Sequence, residues 1–374
     1  MNVLKERQMN PTLNETESGA DAEAIGLIIC GGGVPGVALD AERVELPEFT
    51  SIHDGGHRSC NGRLRWGSRC RAGNDSLRRR KENQDALCIN DVLNGDVDTT
   101  FFSVFDGHGP NGAFVSHFVR DLYHRAVAEA YAMLILERKC KSVSDNDINA
   151  LNQKTSVASD VMTEVFRQAA QKVVDELNAS GIDSSVSGTT ALAMLVHEKD
   201  IIIANIGDSR AVVAKFSEEL QRYELHCETK DHNPDVPEEC ARIEISNGRV
   251  FEWGTPRVWL QDTDMPGLAM SRSFGDLVAK TIGVIAEPDV LRIEIEEFCT
   301  CGKKQRPSHF AILASDGIWE FISTDECVQF VAACIFESEM SPQETCIALV
   351  DEACSRWDVE EDVIDDITAV IVYF

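Results

Sequence analysis

Residues 101–109 read FFSVFDGHG, and residues 309–319 read HFAILASDGIW. In each, an apolar run of strand formers stops at an aspartate, with glycine directly behind it. A single Asp-Gly after a strand is an ordinary turn signal. Two of them, far apart in the chain, raise the expectation that both carboxylates meet at one place.

The surrounding pattern gives the fold class. Behind DGHG, Phe114, Phe118 and Leu122 recur at i, i+4 and i+8, which predicts a helix from Asn111 onward. Over residues 161–177, Val161, Val165, Ala169, Val173 and Leu177 form one row, with Met162, Phe166, Ala170 and Val174 beside it. That predicts a second helix with a wide buried face, separated from the first by the polar linker KSVSDNDINALNQKTS. Upstream, LRWGSRCRAG and DALCI read as strands on either side of RRRKENQ. Three short β-rich runs follow the second helix: ALAMLV (191–196), IIIANIG (201–207) and AVVAKF (211–216). Their connections are too short for a crossover helix, so antiparallel strands are expected. Residues 225–290 carry turn residues and few helical stripes and read as a long irregular region. Helices are expected at 324–336 and 342–357, and ITAVIVYF closes the chain as a strand. Strand clusters and helix pairs are segregated, which favours α+β layers over a doubly wound parallel sheet.

The 374 residues suffice for one large domain or two small ones. Residues 1–60 lack sustained periodicity and read as a disordered or loosely packed acidic extension, with the folded domain at 61–374. Gly31, Gly33 and Gly36 formally satisfy GxGxxG, but Pro35 sits in the loop and no helical stripe follows. The formal net charge of −28 argues against a nucleic-acid partner, because phosphate backbones would be repelled. An anionic substrate would need a local positive feature, such as metal ions or an arginine. The opening residues MNVLKERQMN lack the apolar core of a signal peptide, and no apolar run reaches the length of a membrane span. The 13 cysteines show no framework spacing, so a reduced cytoplasmic or nuclear compartment is expected, and a monomer. Cys299 and Cys301, with His309 nearby, offer half of a zinc site, but no second CxxC or CxxH completes it.

Several acidic residues share the end or edge of an apolar strand: Asp85, Asp106, Asp208, Asp316 and the Asp365–Asp366 pair. Carboxylates crowded at converging strand ends repel strongly and need protons or hard cations to neutralise them. Oxygen ligands alone select Mg²⁺ or Mn²⁺.

From Arg63 to Phe374 the chain resembles the metal-dependent protein serine/threonine phosphatases of type 2C. The blocks run in order: RKENQDA, VFDGHGPNG, SGTTALAMLV, ANIGDSRAVV, GLAMSRSFGD, ILASDGIWE and DDITAVIVYF. The resemblance implies two packed antiparallel β-sheets flanked by helix pairs, a four-layer α-β-β-α sandwich. It also implies hydrolysis of phosphoserine and phosphothreonine by direct attack of a water bridging two Mg²⁺ or Mn²⁺ ions, with phosphoproteins as partners. Asp106 would bridge the ions, the Gly107 carbonyl would bind one, and Asp316 and Asp365 would complete the set. Asp85 would hold metal-bound water. Asp208 matches a position associated with a weaker third ion, shared with Asp316. Arg80 stands where the family grips phosphate, and its planar fork suits bidentate contact. His108 would give a proton to the leaving oxygen. The sequence departs from the pattern at Gln84, where Glu is frequent, and at Glu320, where Asp is frequent near the third ion.

Rival chemistries fail on spacing. No cysteine has an arginine six positions on, as a cysteine phosphatase requires, and DGHG does not supply the DxD of an aspartyl-phosphate enzyme. A silent relative that only binds phosphoproteins would lack the bridging or flanking aspartates, yet Asp106, Asp316 and Asp365 are all present.

Overall fold

Alternate residues of the FFSVF strand face two different cores. Phe101 and Phe105 pack toward helices, whereas Phe102 and Val104 pack toward a second sheet, and all four are fully buried. The computed structural model describes residues 55–58, 64–144, 159–295 and 306–374. Gly31, Gly33, Gly36 and the Cys299–Cys301 pair lie outside them, as does most of the expected extension.

The strand is β4 (Thr99–Phe105) of a five-stranded sheet. Its order is β15 (Asp289–Glu294), β8 (Asp200–Ile206), β7 (Ala191–His197), β4 and β3 (Ala86–Asn90). The facing sheet has six strands: β1 (Gly55–Arg58), β2 (Arg65–Arg71), β17 (Ile367–Tyr373), β16 (His309–Ala314), β9 (Arg210–Ser217) and β10 (Arg222–Glu228). Every pairing in both sheets is antiparallel, with Phe102 opposite Met194 and Ile312 opposite Ile371 marking the register. Between the sheets lie Phe102, Val104, Leu192, Met194, Val213, Ala311, Leu313, Val370 and Val372. Fully burying one such aliphatic or aromatic side chain contributes about 1.5–3 kcal/mol.

Helices cover both outer faces. Helices α1 (Gly112–Ser144) and α2 (Ser159–Ala179) close over the five-stranded sheet, and α6 (Thr324–Phe336) and α7 (Pro342–Glu360) over the six-stranded one. Ser323 and Ser341 start the latter pair with capping boxes completed by Glu326 and Glu344, which explains why these helices begin where they do. The expected four-layer α-β-β-α arrangement is therefore the one observed.

Several details differ from the sequence reading. In α1 the fully buried row is Val115, Val119 and Tyr123, while Phe118 and Leu122 are half-buried at its edge. Periodicity finds a face only to within about one 100° step, and the tie is broken by what the helix packs on. The runs at 201–207 and 211–216 do not pair with each other. Gly207, Asp208 and Ser209 carry the chain from one sheet to the other, and β9 pairs with β16 and β10 instead. The region 225–290 is not irregular throughout. Helix α3 (Pro237–Ile245) and strands β11 (Gly248–Trp253), β12 (Thr255–Leu260) and β13 (Pro266–Leu268) form a small subdomain with α4 (Leu277–Lys280). Its own core holds Ile243, Val258, Leu268, Met270, Ala279, Ile282 and Val284. Elements this short show too few turns or alternations for a period to register.

The α1 polar linker also starts later than expected, since the helix runs on to Ser144. Gly55–Arg58, inside the stretch expected as an extension, pairs with β2, and the described segments belong to a unit running from Phe49 to Phe374. Cys327, Cys346 and Cys354 line the α6–α7 core, and no disulfide forms among the described residues. No helix among those residues is long and apolar enough to cross a membrane.

One core position carries a polar defect. The Tyr123 ring sits edge-on to Phe101, Phe105 and Phe274, but its hydroxyl is buried without a hydrogen-bond partner. An unsatisfied buried hydroxyl costs about 1–3 kcal/mol. Tyr123→Phe should accordingly raise unfolding stability by about 1 kcal/mol, read as a higher urea midpoint at unchanged slope. A lower midpoint would mean that the hydroxyl is satisfied in solution.

Candidate active site

The ends of β3, β4, β16 and β17 and the β8–β9 crossing bring five acidic side chains into one electrostatic neighbourhood. Asp106, next after β4, is held by its own backbone: its N–H donates to Thr190 Oγ1 at 2.9 Å and its carbonyl accepts the Thr190 N–H at 2.9 Å. Thr190 Oγ1 also meets Ser209 Oγ at 2.7 Å, so one SGTT threonine ties Asp106 to the residue beside Asp208. Asp316 opens the short helix α5 (Asp316–Trp319) directly after β16. Asp85 is buried, with Oδ2 accepting from Ser315 Oγ at 2.9 Å, and Ser315 in turn bonds the Thr368 backbone.

Their mutual effect on protonation shows the convergence. Burial first, then the charge of Asp366, pushes Asp85 up to about 8. Burial and the charges of Asp316, Asp85, Asp365 and Asp208 hold Asp106 well above the ordinary carboxylate range. Asp316 is raised likewise, by burial and then by Asp208 and Asp365. Asp208 is pushed up to about 6, by burial and then by Asp231. A cluster this costly to ionise suits hard cations.

The donor atoms fit such ions. Oδ1 of Asp85, Oδ1 of Asp208 and Oδ1 of Asp316 are buried without a hydrogen-bond partner, which is expensive unless something cationic completes them. Among the described residues no three His, Cys, Asp or Glu side chains already surround a single point, so the carboxylates adjoin without forming a ready-made cage. Gly107 is squeezed against the carbonyls of Gln84 and Gly112, and a β-carbon there would collide with both. Only glycine brings the backbone this close to the cluster.

The Asp365–Asp366 pair divides its work. Asp366 is buried and clips the preceding loop to the sheet, its two oxygens accepting the N–H groups of Gly73 at 2.7 Å and Gln84 at 2.9 Å. Asp365 is the member whose charge bears on Asp106 and Asp316, while both members bear on Asp85, Asp366 the more strongly. Lys81, which the sequence reading passed over, donates to Asp365 at 2.6 Å.

Arg80 lies in an exposed loop whose other arginines are neutralised. Arg78 pairs with Asp358, and Arg79 pairs with Asp75 at 2.7 Å. The Arg80 guanidinium has no ion-pair partner among the described residues. Gln84 turns its amide to the Gly109 carbonyl at 2.8 Å, bracing the DGHG loop. Glu320 is exposed at the far end of α5.

His108 is placed by a miniature sheet of β14 (Phe274–Gly275), β6 (Gly188–Thr189) and β5 (Gly107–His108). Its Nε2 lies 2.7 Å from Asp276 Oδ2, while Nδ1 is buried without a partner. Burial alone would lower the imidazole pKa, but the charges of Asp276 and Asp208 outweigh it and the net shift is upward. Asp276 is the site residue that sequence reasoning missed. The signal was present in GLAMSRSFGD, another Gly-Asp after a short run, but no apolar strand precedes it to mark it as a strand end.

The chain matches the Protein phosphatase 2C family model over residues 71–361. It is 36% identical over 277 residues to "Probable protein phosphatase 2C 75" of Oryza sativa subsp. japonica, covering 67% of this chain and 61% of that one. It is 33% identical over 316 residues to "Probable protein phosphatase 2C 35" of Arabidopsis thaliana, covering 78% of each. In fold it is similar to a serine-threonine phosphatase 2C from Toxoplasma gondii, with a TM-score of 0.66 at 22% identity, over 83% of this chain and 95% of that one. With the strand-end carboxylates, the DGHG histidine and the layered sandwich in place, the chain belongs to the protein phosphatase 2C family of serine/threonine phosphatases.

Proposed function

We propose that this protein removes phosphate from phosphoserine and phosphothreonine in proteins by direct attack of water, with two Mg²⁺ or Mn²⁺ ions held by Asp106, Asp316, Asp365 and the Gly107 carbonyl. Asp85 and Asp208 extend that acidic set, Asp208 toward a weaker third ion. The ions, when bound, supply an acidified water at neutral pH and offset charge on the phosphoryl oxygens. The observation that carries this reading is the group of buried, unpartnered Asp85, Asp208 and Asp316 oxygens in a cluster that resists ionisation.

The chain's own residues do the rest. Arg80, the loop arginine without an ion pair among the described residues, takes the phosphate and aligns it. His108 stands two residues beyond Asp106 and gives a proton to the departing serine or threonine oxygen. In a chain of net charge −28, the metals and Arg80 provide the local positive focus that an anionic substrate needs.

Phosphate release from a phosphothreonine peptide, with Mn²⁺ and with a chelator, tests the reading. Release that requires the metal is the expected result. Folded protein that binds the peptide but releases no phosphate with either Mg²⁺ or Mn²⁺ would instead make it a phosphoprotein-binding relative.

A further inference from the structure

We propose that Asp276 is a positioning residue that fixes the ring of His108, so that Nε2 is held by the carboxylate and Nδ1 is the atom that faces the reaction. The proposal rests on the phosphatase reading above and adds to it a residue and an atom.

Three independent features converge on this one contact. Asp276 adopts φ 51°, a left-handed conformation that costs a residue with a β-carbon and persists only where its surroundings enforce it. Its N–H donates to the Ser187 carbonyl at 2.9 Å, which anchors it beside β6. Position 188 must be glycine, because a β-carbon there would occupy the place of Asp276 Oδ2. Ser273 Oγ donates to the same Oδ2 at 2.6 Å, so that oxygen receives both the hydroxyl and the imidazole. Asp276 itself is 2% exposed. Strain, clearance and a buried second donor are all spent on aiming one carboxylate oxygen at one ring nitrogen.

The chemistry follows from the contact. A carboxylate oxygen that already accepts from Ser273 can only accept from the ring, so Nε2 carries a proton and donates it. Holding one nitrogen fixes the tautomer and the ring plane and leaves the other to act. That other nitrogen, Nδ1, is buried and unpartnered. When His108 delivers a proton, the Nδ1–H bond breaks and an O–H bond forms on the leaving serine or threonine oxygen. The P–O electron pair departs with that oxygen, and Nε2 keeps its hydrogen on Asp276.

The test is Asp276→Asn, which preserves size, with Ser273→Ala as a milder second variant should the first fail to fold. Two readouts are needed. In nitrogen-15 spectra of the unmodified protein, His108 should show a slowly exchanging Nε2 proton that is lost or weakened in either variant. In steady-state assays, Asp276→Asn should lower kcat on a phosphothreonine peptide by roughly 10–10²-fold, the usual cost of removing the partner that orients a histidine. On p-nitrophenyl phosphate, which needs no proton donor, its loss should be several-fold smaller. Equal losses on the two substrates would reduce Asp276 to a purely structural part and overturn the proposal, as would a folded parent protein without the protected Nε2 proton. If the parent releases phosphate from neither substrate with Mn²⁺, the phosphatase reading falls and the catalytic role of Asp276 with it. The nitrogen-15 signal then still decides whether Asp276 holds the ring.

Discussion

Asp106→Asn should remove metal-dependent turnover, with a loss of roughly 10³-fold or more, while making the metal-free protein more stable. The first effect follows from charge. Losing even one well-placed electrostatic contact to a transition state costs roughly 10²–10³-fold, and this carboxylate is proposed to serve two ions. The second effect follows from the same crowding. Asp106 is raised by burial and by Asp316, Asp85, Asp365 and Asp208, so every further negative charge there works against the folded state. A carboxyl whose native pKa is raised is fully tolerated only below its unfolded pKa. As pH rises past that value the unfolded chain releases its proton freely and the native chain resists, so stability falls. In chelator the parent protein should therefore lose stability as the pH rises above about 4, the ordinary carboxylate value, with the part due to Asp85 complete by about 8 and the parts due to Asp106 and Asp316 continuing upward. Asp106→Asn should flatten that decline and add about 0.5–2 kcal/mol at neutral pH, the range of a typical single stabilising substitution. Mn²⁺ should raise the melting temperature of the parent, most at high pH where the ligands are deprotonated, and barely move the variant. A variant with near-normal turnover would end the two-metal reading. A variant less stable than the parent in chelator would show that Asp106 is a structural carboxylate.

The layers were legible because they rest on long apolar runs. FFSVF, HFAILA and ITAVIVYF are each buried on both faces, and the row from Val161 to Leu177 belongs to a helix long enough to declare its period. The carboxylates were legible for the same reason, since a strand end is an address that sequence can mark. What stayed hidden depends on packing between elements. Nothing in DDITAVIVYF says that Asp366 clips the Gly73 and Gln84 amides while Asp365 takes Lys81 and sets its charge against Asp106. Strand pairing was hidden too, because β9 finds β16 nearly a hundred residues later in place of its neighbour β8. Asp276 was concealed by distance, 168 residues from the histidine it holds, and by a strand of only two residues before it.

His108→Ala isolates the proton transfer. Serine and threonine leave as strongly basic alkoxides, so their departure needs a proton in the transition state. The phenolate of p-nitrophenyl phosphate departs without one. Removing a general acid costs roughly 10²–10⁴-fold where the proton is needed, so the peptide rate should fall by that factor and the aryl phosphate rate far less. The variant should keep its thermal response to Mn²⁺, because the orphaned oxygens that suit the ions belong to Asp85, Asp208 and Asp316. The fold should also survive. His108 occupies a strand of two residues whose backbone pairing with Gly188 does not require the ring. Losing His108 does leave the buried Asp276 carboxylate with the Ser273 hydroxyl as its remaining side-chain hydrogen bond, and restoring the parent's stability in the Asp276→Asn, His108→Ala double variant would measure that cost. Equal losses on peptide and aryl phosphate would mean that the ring positions water or phosphate. The unpartnered Nδ1 would then be a hydrogen-bonding group toward them and not the source of the proton.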